Sequence, residues 1–87
     1  MQIRITQAIH DALGRIGHVP DNLRARFDAI APAENGSFTL ALTEDDATAL
    51  AELVQWHIRT DPATGKPTPE TAPYQELILL IDKAMFA

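Results

Sequence analysis

The sequence predicts an α+β fold, mostly helical, with the order β-α-α-β-α-α. Two strands are expected at about 2–6 and 37–42, and four helices at about 7–16, 22–31, 44–59 and 73–86. Three observations predict this. Met1–Thr6 and Ser37–Leu42 alternate apolar and polar residues with the period of a strand. Four other stretches repeat apolar residues at helical spacing. Prolines, glycines and an Asn-Gly pair punctuate the chain between them. All 87 residues fit one domain. A domain this small buries only about 60–65% of its unfolded surface, which makes a second copy an accessible source of buried area.

In the first strand Ile3 and Ile5 share one face, while Gln2, Arg4 and Thr6 share the other. An early helical start competes with this reading, because Ile5 also continues the stripe of the helix that follows. Thr6 is placed to cap that helix, whose apolar face is Ile9, Ala12, Leu13 and Ile16. Gly17 is expected to end it in the left-handed conformation. Asp21 is the expected cap of the second helix, with Leu23, Phe27 and Ile30 inward and Pro32 as its stop. Asn35-Gly36 then marks a turn.

In the second strand Phe38, Leu40 and Leu42 lie opposite Ser37, Thr39 and Ala41. Thr43 caps the third helix, and Glu44, Asp45 and Asp46 complement the dipole of its first turn. Leu50, Leu53, Val54, His57 and Ile58 form its inner arc. Residues 60–72 hold three prolines and a glycine and are expected to be a loop without regular structure. Pro73 suits the first turn of the last helix, whose inner stripe is Tyr74, Leu77, Leu80, Ile81 and Ala84.

An internal echo runs through the chain. Ile3-Arg4-Ile5-Thr6 and the apolar residues that follow align with Leu40-Ala41-Leu42-Thr43 and their followers at an offset of 37 residues. Duplication and chance both account for it. Duplication carries the expectation that the two strands pair beneath four helices.

Composition bounds the chemistry. There is no cysteine, so disulfides and thiolate metal sites are excluded. No apolar run reaches the ~18 residues needed to span a membrane, and the N-terminus lacks a signal-peptide pattern. A complete cytoplasmic chain is expected. Abundant alanine, with five arginines to two lysines, points to a GC-rich bacterial genome. The net charge of −5 is uneven: four arginines face three aspartates in residues 1–32, and three cations face nine carboxylates thereafter. That balance argues against general nucleic-acid or anionic-membrane binding and favours a basic or mixed-charge protein partner.

No catalytic, metal or cofactor site is expected. His10, His18 and His57 lack ligand spacing, and Ser37 has no histidine near it in sequence. Glu44, Asp45 and Asp46 are adjacent on a helix and so point about 100° apart rather than converging. Thr64-Gly65-Lys66-Pro67-Thr68 lacks the upstream glycine of a phosphate loop, and Pro67 removes an N–H the cradle requires. The 61–72 segment lacks the alternating carboxylates of a calcium loop.

Apolar surface is left over once the core is assigned. Trp56 falls roughly 140° from the centre of its helix's inner arc, where either the 60–72 loop or a partner covers it. Leu79 and Phe86 lie opposite the inner stripe of the last helix, and Ile78 and Met85 widen the apolar band. The run Leu77-Ile78-Leu79-Leu80-Ile81 is apolar all round. Such a segment is usually buried on every side, and one short chain has few elements to do that. The expected function is therefore a small non-enzymatic protein-interaction module of accessory, regulatory or inhibitor type. It is expected to form a homodimer or other homo-oligomer through the last helix. Trp56, Ile78, Leu79, Met85 and Phe86 are its expected partner-binding residues. Fraying of the chain end is the alternative account of Phe86.

Residues 2–31 also resemble the ribbon-helix-helix class of DNA-binding regulators, with Gln2, Arg4 and Thr6 on the outward strand face. That resemblance implies a ribbon built from two such strands reading the major groove. The chain departs from it in its acidity and in the second strand, which offers only Ser37, Thr39 and Ala41 outward.

Overall fold

A computed structural model describes residues 1–86. The elements are β1 (Gln2–Ile5), α1 (Gln7–Gly14), α2 (Asp21–Asp28), β2 (Ala31–Pro32), β3 (Phe38–Ala41), α3 (Glu44–Gln55) and α4 (Ala72–Phe86). The α+β class and four-helix order match expectation, but the sheet has three strands, ordered β1-β3-β2 and antiparallel throughout.

The additional strand corrects the second helix. Expected to run to residue 31, α2 stops at Asp28. Pro32 disfavours helical backbone at Ala31, so this pair extends and joins the sheet. Proline has no N–H to donate, which confines it to an edge such as this. The Asn-Gly signal is the turn of the β2–β3 hairpin. Asn35 and Gly36 take φ of 58° and 75°, the Ser37 N–H donates to the Glu34 carbonyl at 3.1 Å, and the Ala33 N–H donates to the Ser37 carbonyl at 2.8 Å. Two consecutive positive φ values are what a type I′ hairpin turn requires.

Other ends also moved. Helix α1 stops at Gly14 and tightens through Arg15 N–H to Ala12 O and Ile16 N–H to Leu13 O, so Gly17 does not take the left-handed conformation. Helix α2 begins at Asp21 itself, with Pro20 before it and no side-chain cap. Helix α3 stops at Gln55, and His57 and Ile58 continue it as a tighter turn through bonds to Val54 O and Gln55 O. The following loop holds one isolated bridge, Thr60 with Pro67, and α4 starts one residue before Pro73. Ala84, expected inward, is exposed.

The two threonine caps form as expected. Thr6 Oγ1 accepts from the Ile9 N–H at 3.2 Å, and Thr43 Oγ1 accepts from the Asp46 N–H at 3.1 Å. These bonds are equivalent at the 37-residue offset. The strand register repeats the relation: Ile3 pairs with Leu40, Gln2 with Ala41 and Arg4 with Thr39. Shifting each residue to its counterpart turns the pair Gln2–Ala41 into Thr39–Arg4 and leaves Ile3–Leu40 paired with itself. The ribbon therefore has a local two-fold axis between Ile3 and Leu40. The helices follow it in part: α4 packs on β1 as α2 packs on β3, and α1 on α4 as α2 on α3, whereas the close packing of α3 on α4 has no equal between α1 and α2. The pairing implied by duplication is present, and β2 and the 56–71 segment break the symmetry.

The core lies between the ribbon's inner face and the helices. Ile3, Ile5, Leu40 and Leu42 meet Ile9, Ala12 and Leu13 of α1, Leu23 of α2, Ala47, Leu50 and Val54 of α3, and Tyr74, Leu77 and Ile81 of α4. Six of the larger side chains (Ile5, Leu23, Leu40, Leu50, Val54 and Leu77) are completely shielded from solvent. A side chain of that size contributes about 1.5–3 kcal/mol on burial, so truncating any of them costs a large share of a small domain's stability.

Candidate functional site

The outer face of α4 is the apolar surface the fold leaves uncovered. A helix repeats every 3.6 residues, so Glu76, Leu79, Lys83 and Phe86 fall on one stripe opposite buried Leu77 and Ile81. Leu79 is 58% exposed and Phe86 82% exposed. Ile78 and Met85 are half-buried against the core, on the flank of α4 away from the Glu76–Lys83 side of the stripe. The structure thus joins Leu79 and Phe86 on one surface and turns Ile78 and Met85 partly inward.

Beside Leu79 an apolar groove of about 370 Å³ runs between α4 and the β1–α1 junction. Ile9, Leu79 and Leu80 line its floor, with Arg4, Glu76 and Lys83 at its rim. Thr6 supplies the corner where β1 passes into α1. Chemically, this is a hydrophobic strip edged by both signs of charge.

Trp56 stands apart from that strip at the end of α3. It is 74% exposed, so the 60–72 loop does not cover it. The loop turns back on itself instead: the Asp61 N–H donates to the Lys66 carbonyl, and Asp61 Oδ1 accepts from the Ala63 N–H at 2.8 Å. Thr71 fastens the end of the loop to the segment that follows α3, donating its hydroxyl to the Arg59 carbonyl and accepting from the Arg59 N–H, both at 3.1 Å.

The sheet's outward face carries Gln2, Arg4 and Thr39 around a shallow depression. Here β1 pairs with β3 of the same chain, whereas a ribbon-helix-helix protein pairs this strand with that of a second subunit.

Three arrangements carry no sequence signal of their own. Asp46 was expected only to complement a dipole, but it accepts from Arg26 Nε at 2.8 Å and Asn22 Nδ2 at 3.2 Å, tying α3 to α2. Those bonds, Asn22's first, hold its carboxyl below the ordinary aspartate range against the opposing effect of burial. His10 stacks on Phe38 with ring centroids 4.3 Å apart and an interplanar angle of 13°. His57 lies tilted 44° against Tyr74 at 6.0 Å. Among the described residues, no group of three or more His, Asp or Glu is placed to hold a metal ion, and no helix is long and apolar enough to cross a membrane.

The fold defines a small α+β protein built on a locally two-fold ribbon. No family model, no curated protein and no solved structure matches the chain.

Proposed function

We propose that this chain is a small non-enzymatic interaction module that pairs with a second copy of itself through the outer face of α4. The observation that carries this is the stripe Glu76, Leu79, Lys83, Phe86, in which two exposed apolar residues alternate with charges of opposite sign. Glu76 and Lys83 are seven residues apart, about 10.5 Å along the axis, and Leu79 sits midway between them. In an antiparallel pair about a two-fold axis beside Leu79, each Glu76 lies opposite the partner's Lys83. One patch then serves both sides, as an isologous interface requires. The groove floored by Ile9 and Leu80 lends apolar depth to that contact. Exposed Trp56, at the end of α3, suits docking by a different protein, since tryptophan is enriched among residues that dominate interfaces. Composition and charge fit an accessory or regulatory protein of a bacterial cytoplasm.

Sedimentation equilibrium from micromolar to about 1 mM protein tests the pairing. A reversible monomer–dimer equilibrium is expected, abolished by Leu79→Asp with little change in thermal stability, because that side chain is already mostly in water. A wild-type protein that stays monomeric throughout that range would overturn the reading.

The ribbon's two-fold register favours a second reading, a DNA-binding regulator resembling the ribbon-helix-helix class within one chain. Its outward face offers Gln2 and Arg4 but a single cation, against a net charge of −5. Fluorescence anisotropy with duplex DNA at low salt tests it. A salt-sensitive rise lost in Arg4→Ala supports this reading, and a flat response removes it.

A further inference from the structure

A second cleft lies away from α4's outer face, between the end of α1, the residues after α3 and the start of α4. It is an open cleft of about 460 Å³ lined by Arg15, Ile16, His57, Arg59, Thr68, Glu70, Thr71 and Tyr74. That volume lies in the range of small-molecule pockets, ~300–1,000 Å³.

Its polar content is unusual for this chain. In a protein with seven cationic side chains and a net charge of −5, two of the five arginines line one cleft. Neither is neutralised. Among the described residues the charged contacts are Arg26–Asp46 and His10–Asp11, so neither Arg15 nor Arg59 has a carboxylate within 4.0 Å. The Glu70 carbonyl accepts from Arg15 Nη2 at 3.0 Å, and Glu70 is the one acidic residue in the lining. That bond fixes the Arg15 fork while leaving its remaining donors free. Beneath the arginines the wall is fixed by structure: Tyr74 is bonded to Ala12 O, and Thr71 to Thr68 and Arg59. His57 completes the wall, and its Nε2 is buried without a hydrogen-bond partner. His10 Nδ1, outside the cleft's lining, is likewise buried without a partner.

Two guanidinium groups lining one cleft favour an anion between them. Planar, fork-shaped donors match the oxygens of phosphate and carboxylate groups. Ile16 and the Tyr74 ring supply an apolar side to the same cleft, which suits an oxyanion carried on a small organic body. We propose that this cleft binds a small soluble oxyanion, a phosphoryl or carboxylate group on a small molecule, clasped by Arg15 and Arg59.

The test is an amide NMR titration of the full chain with inorganic phosphate, with succinate and with chloride at matched ionic strength. Saturable shifts at His57, Arg59, Thr68, Glu70 and Thr71 are expected with phosphate or succinate and not with chloride. Response to phosphate alone identifies a phosphoryl ligand, and response to succinate alone a carboxylate. Arg59→Gln, at an exposed position where folding is not at stake, is expected to weaken binding at least tenfold. Arg24→Gln, outside the cleft, is expected to leave it unchanged. Shifts equal to those with chloride, or an Arg59→Gln variant that binds like wild type, would overturn the assignment. Neither result bears on pairing through α4, which involves none of these residues.

Discussion

Tyr74 donates its hydroxyl proton to the backbone carbonyl of Ala12 at 2.7 Å, across 62 residues of sequence, and the bond is buried. It joins the first turn of α4 to the last turn of α1, so the chain's final helix is positioned by its first. The Ala12 carbonyl also accepts from the Arg15 N–H at 3.1 Å, so losing Tyr74 leaves it one bond rather than none.

That arrangement sets the size of an effect. Tyr74→Phe removes one neutral hydrogen bond and keeps the ring's packing, so urea unfolding should show a loss of about 1 kcal/mol with an unchanged slope. Tyr74→Ala also empties a buried site, and a loss of about 3–5 kcal/mol is expected, a large part of such a domain's whole stability. Equal costs for the two variants would show that the hydroxyl, rather than the ring, holds α4 in place.

The Asp46 carboxyl couples α2 to α3, and its folded pKa lies below the ordinary aspartate value near 3.9 because Asn22, then Arg26, donate to its charged form. A depressed folded pKa means that the unfolded chain takes up the proton first on acidification. The stabilisation is therefore complete above about pH 4 and is lost as pH falls through the lower folded value. Stability measured by urea from pH 7 to pH 2.5 should converge in acid for wild type and Asp46→Asn. A difference between the two that is independent of pH would sink this account.

How much of this was legible follows from where each signal lives. Thr6 and Thr43 announced their helices because a cap acts on an N–H three residues away, within reach of local reading. The strands and the core-facing apolar residues were legible for the same reason, since period and face are local. β2 was not, because a two-residue strand has no period. Its signal was Asn35-Gly36, which marks a hairpin and so demands a strand on each side. The inward turn of Ile78 and Met85, and the exposure of Ala84, depend on which neighbours α4 meets, and a helix wheel does not know its neighbours. Asp46's bonds and the Arg15–Arg59 cleft each join residues 20 or more positions apart, so no spacing in the sequence displays them. The exposed residues Trp56, Leu79 and Phe86 were found by subtraction, as the bulky apolar residues that no inner stripe could use.

The hairpin turn offers a backbone test. Gly36 has φ of +75° with open space where a Cβ would stand, so a substitution there meets no neighbour, only its own backbone. Gly36→Ala should cost about 1 kcal/mol, read as a lower Tm with an unchanged circular-dichroism spectrum. Asn35→Gly should change stability by only a few tenths of a kcal/mol, because glycine accepts the same positive φ. A Gly36→Ala variant as stable as wild type would mean that β2 detaches at little cost and contributes little to the sheet.

The pairing through α4 makes a stricter prediction than a change of mass on removing Leu79. If Glu76 lies opposite the partner's Lys83, then Glu76→Lys sets like charges against each other at both ends of the two-fold contact, and so does Lys83→Glu. Both residues are exposed, so neither change threatens the fold. Each single variant is expected to weaken dimerisation about tenfold or more at low salt, and the double variant Glu76→Lys with Lys83→Glu to restore it. Added salt should shrink the single-variant deficits, since rim charges are screened over about 10 Å at 0.1 M ionic strength. A parallel pairing sets Glu76 against Glu76 and Lys83 against Lys83, so the double swap rescues nothing there and each single variant again juxtaposes like charges. Sedimentation of the four proteins side by side therefore reads out the direction of the helices as well as the existence of the dimer. Rescue in the double variant is the outcome that antiparallel packing requires, because only that geometry places each residue against its opposite.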